Sequence, residues 1–402
     1  MLFEADRHEP LVAAAWDAGR AHDAVRAIAA DMEAALGERG VWPAHPLDDV
    51  RDSPTGQKSV YLGAAGALWA LWYLARAGAV RLRIGPVALI AGVHDDYVAA
   101  PDTGQVVPSY FLGEAGILLV QWRLTGSGAA ADRLFACVEG NIANPTNEAL
   151  WAAPGTMVAA WHMLERTGER RWHDLFVANV EHLWQAWLPS EHAPCHLWTQ
   201  DLYGSVVQLL GAGHGFAGNA YPLLVGARVL SAQRREQLYE RCAETLRVTA
   251  RREGDAVNWP PSVGPARPGR TKLLVQWCHG APGIVTGLAA YPSGRSPEMD
   301  RLLTDAGATV WAAGPLAKGA GLCHGTAGNG YALLALHRRT GDPVWLERAR
   351  AFAMHAIAQR DAMFARYGRG RYTLWTGDPG VAVYLWHCLQ GAGGMPLLDV
   401  LD

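Results

Sequence analysis

Charge is what this sequence has least of. Only 18% of its 402 residues are Asp, Glu, Lys or Arg, below the quarter usual in globular chains, so a large fraction must be buried. The formal charge of -3, with no long basic run, supplies neither the footprint of a nucleic-acid binder nor a polybasic stretch for anionic lipid. A secretory start is missing too: Glu4, Asp6 and Arg7 stand where a signal needs a basic start and an apolar run, and a cytoplasmic location is expected. Long apolar runs are absent. The longest, Val60 to Ala75, has 16 residues and two glycines, short of the ~20 of a membrane span; it predicts a buried helix. Six cysteines (Cys137, Cys195, Cys242, Cys278, Cys323, Cys388) are too scattered for a disulfide framework and point to thiols or metal ligands. Strand-type alternation is scarce.

What is present is a repeat. G-x-x-G followed by an apolar run recurs along the whole length, beginning at Gly63, Gly113, Ala152 (with alanine in the first place), Gly215, Gly280, Gly325 and Gly377. Self-similarity at such spacing marks a helical array in which each unit buries its face against its neighbours. Each copy leads into about three turns of apolar residues, as in ALWALWYLARAG and NGYALLALHRRTG, several ending at a glycine suited to a helix C-terminus. Between them lie amphipathic segments. One places Trp172, Leu175, Phe176, Val180, Leu183, Trp184 and Trp187 on a single stripe, another Val25, Ile28, Met32 and Leu36, and Asp342-Pro343 opens a third. The expected architecture is all-α, seven helical hairpins whose inner helices all enter from one edge. Repetition does not decide between an open solenoid and a ring. The glycines at that edge are expected to let the backbone approach closely, and the converging helix N-termini to favour anions and thiolates.

Because the copies align, the two residues before each first glycine can be compared. Tyr61-Leu62, Phe111-Leu112, Leu150-Trp151 and Trp375-Thr376 read as packing. In repeats four, five and six they become Gly213-His214, Cys278-His279 and Cys323-His324. Equivalent positions in successive units lie near one another, so two thiolates and an imidazole (Cys278, Cys323, His324) are predicted to hold one zinc ion and to leave a coordination position open, as catalytic zinc sites do. His214 is a candidate for proton transfer, and His279 either shares that role or supports the metal indirectly. His192 and His196 flank Cys195 but lie outside the repeat column, and no metal is expected there. The remaining cysteines read as small buried hydrophobes.

The motifs GAGHGFAGN, WCHGAPG and LCHGTAGN closely resemble the lanthionine synthetase C-like family. The resemblance covers all seven repeats and implies one closed α/α toroid domain over residues 1–402, with zinc on Cys278, Cys323 and His324. It implies addition of a thiol across the double bond of a dehydroalanine or dehydrobutyrine residue to form a thioether. The thiol is either glutathione or a cysteine of the peptide, and a partner dehydratase is a possible companion. His214 matches the histidine proposed to handle protons in that family, and Glu148 falls near an acidic position suited to orienting it. The chain departs from lantibiotic cyclases at Leu274, where they carry arginine, and at His279, where tyrosine is frequent. Asn258–Gly264 (NWPPSVG) and Lys318 are more similar to the glutathione-binding branch, and Lys318 is expected to pair with a glutathione carboxylate.

Three other functions compete. Glycoside cleavage on an α/α toroid needs two carboxylates, and Glu114 and Asp378 are the acids within the G-x-x-G loops. Zinc prenyl transfer also activates a thiol, but the paired C-H-G-x-x-G motif does not belong to it. A non-catalytic zinc-dependent module that binds glutathione or a peptide has the same ligands, and a proton donor at His214 favours the enzyme.

Overall fold

In the computed structural model, which describes residues 2–37, 40–48, 55–265 and 272–402, the helices are α1 (Ala18–Ala35), α2 (Ala64–Arg76), α3 (Pro86–Ile90), α4 (Val93–Ala99), α5 (Glu114–Thr125), α6 (Gly128–Gly140), α7 (Ala153–Thr167), α8 (Arg170–Ala186), α9 (Phe216–Val225), α10 (Ala232–Thr249), α11 (Ala281–Gly287), α12 (Pro297–Ala313), α13 (Thr326–Thr340), α14 (Pro343–Tyr367) and α15 (Asp378–Gln390). The N-caps of α2, α5, α7, α9, α11, α13 and α15 are Gly63, Gly113, Ala152, Gly215, Gly280, Gly325 and Gly377. These are the seven positions at which the sequence repeat begins. Each of these helices packs on the next, and α15 packs on α2. The inner layer therefore closes into a ring, and the fold is an α/α toroid.

The outer helices follow the amphipathic stripes. α8 buries Trp172, Leu175, Phe176, Val180 and Leu183 and packs on α7, and α6, α12 and α14 pack likewise on α5, α11 and α13. Helix α1, which buries Val25, Ile28 and Met32, packs on α15, so the first helix of the chain completes the last repeat. Asp342 caps α14 by accepting from the Val344 N–H at 3.0 Å, with Pro343 in the first turn. Gly126, Gly168 and Gly341 end α5, α7 and α13 in the left-handed conformation that glycine adopts without a Cβ penalty. Val60–Ala75 supplies α2, buried along most of its length. Among the described residues no helix is long and apolar enough to cross a membrane.

Close approach explains the second glycine of the motif. A Cβ on Gly116 would stand 2.0 Å from the Tyr110 carbonyl oxygen, and one on Gly283 1.9 Å from that of Trp277. The loop before each inner helix thus lies directly on the helix's first turn. The same contact engages the leading backbone donor of four inner helices. Ala64 N–H donates to Gln57, Glu114 to Val107, Thr326 to Gly319 and Asp378 to Arg371, at 2.7–3.0 Å. These four donors are satisfied within their own repeat.

Small antiparallel sheets interrupt the helices between α8 and α11. β1 (Leu188–Pro189) pairs with β2 (His196–Leu197); β3 (Gln200–Leu202) pairs with β4 (Ser205–Leu209), which pairs with β7 (Ser262–Val263); β5 (Arg251–Glu253) pairs with β6 (Ala256–Asn258). The residues after α15 enter the middle of the ring: Trp69 Nε1 donates to the Leu401 carbonyl at 3.1 Å and Tyr221 to Asp399 at 2.8 Å, and the Tyr110 hydroxyl bonds the Leu397 carbonyl.

Candidate metal and thiol site

The site starts from the backbone. At the glycine end of the ring, Tyr61 N–H donates to Phe111 O, Trp375 to Tyr61, Cys323 to Trp375, Cys278 to Cys323 and Gly213 to Cys278, at 2.8–3.3 Å. Every one of these residues stands two places before the first glycine of its repeat. Equivalent positions are therefore joined directly, repeat to repeat, and the side chains that replace packing residues in repeats five and six become neighbours. In repeat four the position must be glycine, because a Cβ on Gly213 would lie 2.9 Å from the Cβ of Cys278.

Cys278 Sγ, Cys323 Sγ and an imidazole nitrogen of His324 lie within 4.8 Å of one another, the cysteines buried and His324 half-buried; among the described residues they form the one such group able to hold a metal ion. The Cys278 thiol is held well below its ordinary range, first by the hydrogen bond from Cys323 and then by His324, against burial. Cys323 is pushed well above that range, chiefly by the same neighbouring sulfur and by burial. The two sulfurs thus compete for a proton, and a divalent ion would let both ionise. Two thiolates and one imidazole suit zinc, so the donor set fits that ion.

Two residues without a sequence signal touch the sulfurs. Gln276 Nε2 donates to Cys278 Sγ at 3.0 Å. The Tyr61 phenol hydrogen-bonds Cys323 and is pushed up first by burial and then by the charge of that sulfur. Tyr61, read as packing, does stack on Trp375, with ring centroids 6.0 Å apart, but its hydroxyl reaches the cysteine.

His214 Nδ1 lies 2.7 Å from Glu148 Oε2. Glu148 is fully buried and accepts the N–H groups of Leu150 and Trp151 at 3.0 and 2.6 Å. A carboxylate held this way fixes the imidazole tautomer, with the proton on Nδ1. The rings of His214 and His279 are 6.2 Å apart. Both histidines line one cleft of about 430 Å³ with Cys278, Gln276, Leu274 and Tyr203, and the same cleft carries Arg7 and Lys272. Lys318 does not line it. Lys318 acts electrostatically on Cys323 but sits in a neighbouring cleft of about 30 Å³ with His45, Arg360, Arg369 and Arg371. The acids considered for glycoside cleavage are engaged elsewhere, Glu114 with His94 at 2.9 Å and Asp378 with Arg360 at 3.6 Å.

A family profile described as lanthionine synthetase C-like protein matches residues 54–392. A Danio rerio protein named Glutathione S-transferase LANCL1 is 36% identical over 159 residues, 39% of this chain and 36% of its own length. An Arabidopsis thaliana protein named LanC-like protein GCL1 is 38% identical over 184 residues, 44% of this chain and 39% of its own. The chain thus spans well under half the length of these curated relatives. The solved structure of nisin cyclase superposes with a TM-score of 0.56 at 14% identity, covering 94% of this chain and all of that one, a likeness of fold.

Proposed function

The chain belongs to the lanthionine synthetase C-like family, and from that premise we propose that it catalyses addition of a thiol to a dehydroalanine or dehydrobutyrine residue, forming a thioether. The observation that carries the reading is the shared cleft, in which Cys278 of the Cys278, Cys323 and His324 group faces the same space as a histidine held by a buried carboxylate. A zinc ion on those three residues would favour the thiolate form of a substrate thiol whose free pKa is about 8.5. The chain's own residues do the rest. Glu148 orients His214, whose Nε2 takes the thiol proton and returns it to the α-carbon after the sulfur has added to the β-carbon. His279, beside it, is the second group able to move that proton. Leu274 and Gln276 bound the cleft near Cys278.

The thiol this reading favours is glutathione. Arg7 and Lys272 line the cleft, and Lys318 acts electrostatically on Cys323, which supplies cations suited to its carboxylates. The name of the Danio rerio relative points the same way. Zinc-loaded protein incubated with glutathione and a dehydroalanine peptide should yield the glutathione adduct by mass spectrometry, and Lys318→Ala should weaken glutathione binding in titration calorimetry. Absence of glutathione binding, together with cyclisation of a dehydrated peptide that carries its own cysteine, would return the assignment to a peptide cyclase. Glutathione binding with no adduct would leave a binding module.

A further inference from the structure

The β3–β4 hairpin turns on two residues, Tyr203 and Gly204, since Leu202 pairs with Ser205. Both have positive φ, 51° and 70°, as the favoured two-residue hairpin turn requires. Asn, Asp or Gly holds the first of these positions at little cost, whereas a bulky aromatic there is an outlier. Nothing in the hairpin's own packing calls for tyrosine, for the side chain is 66% exposed. Its placement calls for it instead. The ring meets the His214 ring edge to face, with centroids 6.1 Å apart, and it lines the cleft that holds His214, His279 and Cys278. Its hydroxyl oxygen accepts the indole N–H of Trp151 at 3.0 Å. Trp151 in turn donates its backbone N–H to Glu148, the carboxylate that holds His214. Glu148, His214, Tyr203 and Trp151 therefore form a closed circuit of contacts around one side of the cleft.

Resting on the thiol-addition reading, we infer that Tyr203 is a catalytic residue whose hydroxyl donates a hydrogen bond to the carbonyl oxygen of the dehydroamino acid as negative charge develops there. When the sulfur bonds to the β-carbon, the electron pair of the C=C bond moves onto that oxygen, and the enolate collapses when the α-carbon takes a proton from His214. The proton lost by the thiol is the one gained by carbon. The Tyr203 proton stays on its oxygen throughout. Trp151 supports the role in two ways: its N–H occupies one lone pair of the phenol oxygen and so leaves the phenolic hydrogen for another acceptor, and a hydroxyl that accepts one hydrogen bond donates the next more strongly. Donors aimed at a developing oxyanion are among the largest contributors to catalysis of carbonyl chemistry. The side chain that supplies one here stands in a backbone conformation that a smaller residue would hold with less strain.

The test compares Tyr203→Phe and Tyr203→Asn with the parent, in kcat and KM for a dehydroalanine peptide at saturating glutathione, in metal content and in Tm. Tyr203→Phe keeps the ring and should lower kcat roughly a hundredfold, with metal content and the KM for the peptide unchanged. Tyr203→Asn suits the turn better, so it should melt no lower than the parent yet lose at least as much kcat. A role confined to hairpin structure predicts the reverse, with full turnover in Tyr203→Asn. Parental kcat in either variant would overturn the inference while leaving thiol addition intact. A parent protein that forms no thioether when zinc-loaded would overturn thiol addition, and the inference with it, and is told apart because the parent itself fails.

Discussion

Two arcs of the same ring use one backbone position for opposite purposes. In repeats seven, one and two it holds Trp375, Tyr61 and Phe111, whose rings pack on one another with centroids 5.0–6.4 Å apart. In repeats four, five and six it holds Gly213, Cys278 and Cys323, and the following residue is histidine each time. The backbone bonds that link the position from repeat to repeat run through both arcs. The aromatic arc is a plug that packs the mouth together, with the Tyr61 hydroxyl also reaching Cys323, and the thiol arc carries its ligands on the same linked backbone position. A repeat scaffold thus supplies a preorganised set of neighbouring positions, and chemistry arises by substitution at those positions without any change of fold.

If the arcs divide the labour this way, damage to one should spare the other's function. The largest expected effect is on the plug: Phe111, 2% exposed, cut back to alanine should cost about 3–5 kcal/mol of unfolding free energy in denaturant titration while the folded protein still binds its metal. A Phe111→Ala protein that folds with parental stability would show that the aromatic arc is not structural. In the thiol arc, His214→Ala should slow thioether formation about a hundredfold, equivalent to about 2.7 kcal/mol, with unchanged metal content and melting temperature. Unchanged turnover would move the proton transfer to His279; loss of metal would make His214 a ligand.

The comparison sharpens further with histidines inside the inner helices, away from the mouth. His387 on α15 lies between the hydroxyls of Tyr73 and Tyr331, at 2.8 and 2.9 Å, and burial drives it down to about 3. His162 on α7 is driven down to about 4, first by burial and then by Arg166. Both are neutral in the fold, and the unfolded chain protonates them near 6.5, so it binds more protons below that pH. Their contribution to stability is therefore present above 6.5 and is lost as pH falls toward their folded values. Asp378, raised to about 6 mainly by burial, opposes them, since its contribution is present at low pH and is lost as pH rises through about 6. The histidines outweigh it, and a net loss of about 2 kcal/mol between pH 7 and pH 5 is expected. Denaturant midpoints at the two pH values measure it; a midpoint that rises on acidification would contradict neutral burial.

The sequence carried the inner layer almost completely, because the N-cap is a local event that recurs seven times, six times with glycine and once with Ala152. Aligned repeats also bring Cys278, Cys323 and His324 into one neighbourhood, whereas the pairing of Glu148 with His214 was expected from the family resemblance alone. The sequence did not carry contacts made between repeats by single side chains. Gln276 on Cys278, Tyr61 on Cys323 and the seat of Trp151 on Tyr203 have no periodic signature, and Tyr61 and Trp151 read as packing. Ring closure left no mark on the repeat and was expected from the family resemblance alone, because α2 and α15, which meet to close the ring, lie at opposite ends of the chain. Lys318 was placed at the right edge but in a separate cleft, since its distance from Cys323 along the chain says nothing about which cavity its side chain enters.

Equivalent positions in repeats five and six, with His324, are expected to hold one metal ion. Elemental analysis of purified protein, beside a Cys278→Ala/Cys323→Ala variant, measures it most directly. One zinc per parent chain and almost none in the variant, with helical circular dichroism preserved because the aromatic arc and the inner ring remain, is the predicted result. A parent without stoichiometric zinc, or a variant that keeps its full complement, would contradict it.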